Sequence, residues 1–133
     1  MRWVEMVNFF STKIGPYPYE KLANVQSSTR FGGMENASAI FYSQGAIAKG
    51  RNIEGTVSHE IAHQWFGDSV TEKEWHHLWL SEGFATYFGA FFLNRVMVEI
   101  ILMKEWRKVK IEFLNLKTND LLLITKSGIY LNY

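Results

Sequence analysis

From Val57 to Phe66 the chain reads Val-Ser-His-Glu-Ile-Ala-His-Gln-Trp-Phe, and no other stretch limits the possible folds as strongly. His59 and His63 are four residues apart, so on an α-helix they lie one turn apart on the same face. Ile61, Ala62, Trp65 and Phe66 make that helix largely apolar, so it belongs in a core. Two buried imidazoles beside a carboxylate need partners, and a metal ion supplies one. In the pattern His-Glu-x-x-His both rings can meet one cation while Glu60 reaches a water on it. Zinc suits two neutral imidazoles, and a catalytic zinc takes a third protein ligand and keeps one position open. A third turn of the same helix cannot close a tetrahedron, so that ligand comes from a separate element. Glu82, in Trp79-Leu80-Ser81-Glu82-Gly83-Phe84-Ala85, is the candidate. The competing reading is an i,i+4 histidine pair on a solvated helix face.

The remaining composition narrows the function. The chain has 133 residues, 47% hydrophobic and 16% aromatic, enough for a real core and unlike a disordered chain. Its net charge of +1 favours neither nucleic acid nor an anionic membrane as partner. The absence of cysteine excludes disulfide staples and a thiol nucleophile without fixing the compartment. Glu5 and Asn8 interrupt any signal-peptide core, so a cytoplasmic location is slightly favoured. The long apolar stretch from Leu78 to Met103 carries Glu82, Asn94, Arg95 and Glu99. Charges in lipid are costly, so the expectation is a buried helix and no transmembrane segment.

Along the chain, residues 2 to about 13 have Trp3, Val7 and Phe10 at helical spacing with Met6 alongside. Gly15-Pro16-Tyr17-Pro18 ends that helix. Lys21 to Ser27 is a strand candidate with Leu22 and Val25 in the core, and Ala39 to Tyr42 is another. Between them stands Phe31-Gly32-Gly33-Met34-Glu35-Asn36. Paired glycines beside a strand mark either a bulge or a close backbone approach, such as a strand edge along which a peptide lies. Asn36-Ala37-Ser38 fits a glycosylation sequon but overlaps this strand. Gln44 to Arg51 reads as a loop. The histidine helix is expected to start near Ile53 with Asn52 as N-cap and Gly67 beyond its end. Asp68 is a turn residue or an acceptor behind a ligand imidazole. His76 and His77 are rival ligands with less regular spacing. The next helix runs from about Leu78 into the nineties, with Tyr87 packing on it. Glu99 to Lys117 is a basic amphipathic helix, and Leu121 to Tyr133 an apolar strand with a tail. The fold class is therefore α+β and mostly helical, with a small N-terminal antiparallel sheet. One domain is expected, made of residues 1–50 (helix and strands), 51–98 (histidine and glutamate helices) and 99–133 (a divergent helical tail).

Three blocks carry a resemblance. Gly32-Gly33-Met34-Glu35-Asn36, His59-Glu60-Ile61-Ala62-His63-Gln64-Trp65-Phe66-Gly67 and Trp79-Leu80-Ser81-Glu82-Gly83-Phe84-Ala85 stand in order, with eighteen residues between His63 and Glu82. In all three the chain resembles the M1 family of zinc aminopeptidases, gluzincins with a thermolysin-like catalytic domain. The resemblance covers about residues 1 to 95 and fades beyond.

That resemblance implies one Zn²⁺ per chain on His59, His63 and Glu82, with Glu60 as general base assisting attack of zinc-bound water on a peptide bond. It implies that Gly32, Gly33, Met34, Glu35 and Asn36 bind the substrate, with Glu35 pairing with a free α-ammonium so that N-terminal residues are removed. The partner implied is a peptide with a free N-terminus. The family's oxyanion-stabilising tyrosine lies well downstream of the ligand glutamate, and Tyr130 and Tyr133 do not match its context. The family's N- and C-terminal domains do not fit in this length. The expectation is thus a fragment of the catalytic domain. Three readings stay open: an aminopeptidase, an M1 relative with another substrate such as leukotriene A4 hydrolase, and a truncated, catalytically inert zinc-binding fragment.

Overall fold

The computed structural model describes residues 2–48 and 53–126, with side chains described as far as residue 111. In chain order the elements are α1 (Trp3–Lys13), β1 (Ala23–Ser27), β2 (Gly33–Met34), β3 (Ala39–Ser43), α2 (Gln44–Ala48), α3 (Glu54–His63) and α4 (Trp79–Lys126). A short 3-10 turn at Trp75–His77 precedes α4. The chain divides into two compact units, the first ending at Arg95 and the second beginning at Val96. All the candidate site residues lie in the first.

The α+β, mostly helical expectation holds, but the small sheet is mixed rather than antiparallel. Its strand order is β1-β3-β2. β2 pairs antiparallel with β3, Gly33 facing Tyr42 and Met34 facing Phe41. β1 pairs parallel with β3, from Ala23 opposite Ala39 to Ser27 opposite Ser43. The chain reverses twice between β1 and β3, so the outer strands run in opposite directions and β3 takes the middle. The second reversal passes through Ser38 at φ 62, a left-handed conformation uncommon for a residue with a side chain. β2 is thereby left on an edge of the sheet, with no further strand beside it among the described residues.

The first unit is held by aromatic packing between α1, α3 and the start of α4. The buried stripe of α1 is Met6, Phe9 and Phe10, not Trp3, Val7 and Phe10. These three fall on one face at i, i+3 and i+4, and Trp3 is 37% exposed. Phe10 meets Trp65 and Phe88 edge-on at 5.9 and 6.4 Å, and Phe9 meets Phe92 at 5.5 Å. Ile40 and Tyr42 of β3 and Val57, Ile61 and Ala62 of α3 complete the core. Leu22 and Val25 are half-buried rather than core. The Trp65 indole N–H, bonded to the Gly15 and Pro16 carbonyls at 2.9 and 3.1 Å, fastens the turn after α1 to the end of α3.

Several boundaries differ from the sequence expectation. Gln44–Ala48 is a short helix, where a loop was expected. The N-cap position of α3 is Ile53, with no side-chain cap; the expected cap Asn52 lies outside the described residues. Gly67 at φ 121 carries the chain away from α3. One helix replaces the expected two helices and strand, since α4 continues to Lys126. No glycine or proline occurs between Ala90 and Lys126, so nothing in the sequence breaks the helix. The rest of the expected tail, with Tyr130 and Tyr133, lies outside the described residues.

The expected burial of the long helix is not found. Trp75–Ile111 is long and apolar enough to cross a membrane by length and composition, and only 17% of its most apolar window is buried. Leu80, Phe84 and Tyr87 are 37%, 47% and 63% exposed. Tyr87 sits edge-on to Phe88 at 5.3 Å without being enclosed. The core helix of a soluble protein meets the same length and composition test, and Glu82, Arg95 and Glu99 interrupt this one.

Candidate metal centre

The site is assembled by α3, the first turns of α4 and the edge strand β2. Helical spacing places His59 and His63 on one face of α3, their rings 4.6 Å apart and nearly perpendicular. α4 crosses α3 closely because Gly89 lies at the contact. A Cβ there would stand 3.2 and 3.3 Å from the His59 backbone N and Cα. The Ser58 hydroxyl donates to the Gly89 carbonyl at 3.2 Å across the same contact. Glu82, two turns earlier on α4, is thereby carried to the histidine rings.

His59, His63 and Glu82 converge, each offering one donor atom, all within 4.8 Å of one another. His59 Nε2 and His63 Nε2 are 3.0 Å apart, and Glu82 Oε2 lies 3.2 Å from the first and 3.7 Å from the second. Tetrahedral bonds of about 2.0–2.1 Å to zinc put neighbouring donors about 3.3–3.4 Å apart. The three observed separations bracket that figure, so the donor set fits a zinc ion.

Protonation supports the fit. His63 Nδ1–H donates to the Phe66 carbonyl at 2.9 Å. That bond fixes the tautomer and leaves the Nε2 lone pair aimed at the centre. Burial and the neighbouring His63 ring push His59 below the ordinary imidazole value, against an opposing pull from Glu82. Neutral imidazole is the form that ligates. The acceptor behind His63 is thus the Phe66 backbone, not Asp68, whose carboxylate instead accepts from Gln64 Nε2 at 2.8 Å. The His76 and His77 rings meet at a tilt of 57°, 4.0 Å apart, and His76 pairs with Glu74 at 3.2 Å. Neither joins the group.

Glu60 lies behind the pair, only 7% exposed. Burial, with Glu35, Glu82 and Asp68 adding like charge, pushes its carboxyl up to about 8. Its side chain occupies the space a Cβ on Gly33 would fill, so the glycine lets β2 pass directly over it. Glu35 follows β2 immediately, and its charge is felt at Glu60, His59 and Asp68. Gly32 joins the sheet through its carbonyl, which accepts the Ser43 N–H at 3.1 Å, while Met34 is exposed. Glu82 itself is 47% exposed, so burial does not force a counter-charge on it. Proximity to the two rings is what singles it out.

Sequence reasoning missed Gln64. It is fully buried and bonds to the carbonyl of Glu35 and the N–H of Ser38. A polar residue directly after a histidine in an apolar run was the available signal.

The model of the peptidase family M1 domain matches residues 2–122. The chain belongs to peptidase family M1. Within that family it is 42% identical over 95 residues to aminopeptidase M1-C of Oryza sativa subsp. japonica, covering 63% of this chain and 11% of that protein. It is 38% identical over 93 residues to aminopeptidase N of Oryctolagus cuniculus, covering 62% of this chain and 10% of that protein. The M1 zinc metallopeptidase of Deinococcus radiodurans superposes with a TM-score of 0.60 at 36% identity, over 68% of this chain and 20% of that one. The chain spans about a tenth of the length of the curated M1 relatives it matches.

Proposed function

We propose that this chain carries the catalytic centre of a zinc-dependent M1 aminopeptidase. His59, His63 and Glu82 would hold the ion. The carrying observation is the set of 3.0, 3.2 and 3.7 Å separations between their donor atoms. Zinc held there supplies Lewis acidity, drawing the pKa of a water towards about 7 and polarising a carbonyl.

The chain's own residues do the rest. Glu60, buried on the same helix, accepts the proton of the attacking water and returns it to the leaving amine. Burial raises this carboxyl's affinity for a proton, the direction that this exchange needs. The free edge of β2 offers backbone groups to a peptide in strand addition. Glu35, at the end of that edge, takes the α-ammonium, and this contact makes the cleavage N-terminal. Fixing the amine at one end and the carbonyl at the other removes orientation entropy from the barrier.

One observation favours a second reading, zinc binding without turnover. On the α4 side Glu82 and Tyr87 are 47% and 63% exposed, whereas hydrolysis gains from a site that excludes water. One experiment separates the two. Bound zinc is measured on the purified chain, and release of N-terminal residues is assayed beside Glu60→Gln. The aminopeptidase reading expects one zinc per chain and hydrolysis that Glu60→Gln abolishes. Zinc without Glu60-dependent hydrolysis supports the second reading, and a chain that stays metal-free when offered zinc removes both.

A further inference from the structure

The edge strand and the histidine helix are far apart in sequence, and one buried amide joins them. Gln64 sits one residue past His63, and both ends of its side chain are engaged. Nε2 donates to the Glu35 carbonyl at 2.9 Å and to Asp68 Oδ2 at 2.8 Å, with a longer contact to the Asn36 carbonyl at 3.4 Å. Oε1 accepts the Ser38 N–H at 2.8 Å and the Tyr17 hydroxyl at 3.2 Å. The amide's orientation follows from its partners, because a backbone N–H only donates and a carbonyl only accepts. The segment it grips contains Ser38 at φ 62, a conformation that persists only where the surroundings hold it.

We infer that Gln64 is a positioning residue that clamps Glu35–Ser38 onto the end of α3 and so sets the distance from Glu35 to the His59–His63 pair. That distance decides which bond of a peptide reaches the metal centre once its amine is held. The inference rests on the reading of Glu35 as the amine anchor. Gln64 touches no reacting atom; it acts through the backbone of Glu35. A leucine of similar volume would fill the cavity and leave the Glu35 carbonyl, the Ser38 N–H and Asp68 without this partner.

The test is Gln64→Leu in the zinc-loaded chain, alone and combined with Glu35→Ala. Aminoacyl p-nitroanilides are the free-amine probes. Gln64→Leu is expected to raise KM by about ten- to a hundredfold, the range for orphaned buried groups, with kcat changed less and one zinc per chain retained. In the Glu35→Ala background the same change is expected to raise KM no further. An equal rise with and without Glu35, or no rise at all, overturns the inference. Amide hydrogen exchange gives an arm independent of turnover. The Ser38 amide should exchange at least about tenfold faster in Gln64→Leu while amides in the middle of α3 keep their protection. Unchanged exchange at Ser38 overturns the clamp. A wild-type chain that binds zinc but hydrolyses nothing refutes the proposed activity, and Ser38 exchange still decides the clamp. Should Gln64→Leu fail to fold, Tyr17→Phe removes a single bond to Oε1 and is expected to shift Ser38 exchange in the same direction by less; no shift there also overturns it.

Discussion

Stripping the metal from this chain should make its stability fall as pH rises through neutrality, and Glu60→Gln should remove most of that fall above pH 7. The Glu60 carboxyl moves from an ordinary 4.5 up to about 8 in the folded chain, chiefly through burial. Between those values the folded chain holds a proton that the unfolded chain has lost, so stability declines with rising pH. The contribution is complete below about pH 4.5 and gone above about pH 8. The slope is about 1.4 kcal/mol per pH unit for one group, and the whole window amounts to at most about 5 kcal/mol. Asp68, pushed up to about 7 by burial and by Glu35, slopes the same way below pH 7. His59, held below the ordinary 6.5, slopes the opposite way: the folded ring sheds its proton first, so it adds stability as pH rises towards 6.5. From pH 7 to 8 the decline therefore belongs mostly to Glu60, with a smaller remainder from Asp68. Thermal melts of chelated wild type and Glu60→Gln across that interval measure it. For a unit of this size the wild-type midpoint should drop by about 5 °C and the variant's by well under half of that. Zinc should flatten the wild-type slope, because a cation at the centre favours the ionised carboxylate. Equal slopes in the two proteins from pH 7 to 8 would refute the claim that Glu60 is strained against its charged form.

Other perturbations test the packing and the ligand set. Glu82→Gln should weaken zinc binding by more than about a hundredfold, beyond the cost of losing a supporting residue, as read by competition with a chromophoric chelator. Unchanged affinity would remove Glu82 from the centre. Ile61→Ala, at a fully buried position of α3, should cost about 2–5 kcal/mol in denaturant unfolding. Trp65→Phe keeps a ring against Phe10 and Tyr17 but orphans the Gly15 and Pro16 carbonyls, costing about 1–3 kcal/mol. Zinc stoichiometry should be unaffected in both core variants.

What could be read in advance was what depends on neighbours within a turn or two. The i,i+4 spacing aims His59 and His63 the same way whatever surrounds them, because that is a property of the helix alone. The apolar flank put α3 in the core, where Val57, Ile61 and Ala62 are fully buried. The motif order marked β2 as a segment of interest, and the structure sets it against Glu60 of α3. Local pattern misled where two answers shared one periodicity: α1 turned Phe9 inward in place of Trp3, because only packing against Phe92 and Trp65 selects the face.

Tertiary structure decided what no short window contains. Glu82 reaches the histidines because Gly89 lets α4 approach the His59 backbone, a contact between residues about thirty apart in the chain. The direction of β1 follows from two chain reversals, and hydrophobic alternation is blind to strand direction. The exposure of α4 was equally invisible, since an apolar composition shows that burial would be favourable but not what covers the helix. Gln64 is the clearest instance. Beyond the nearby Asp68, its partners are residues 17, 35 and 38, and hydrogen bonds across such separations exist only once the backbone has closed around them.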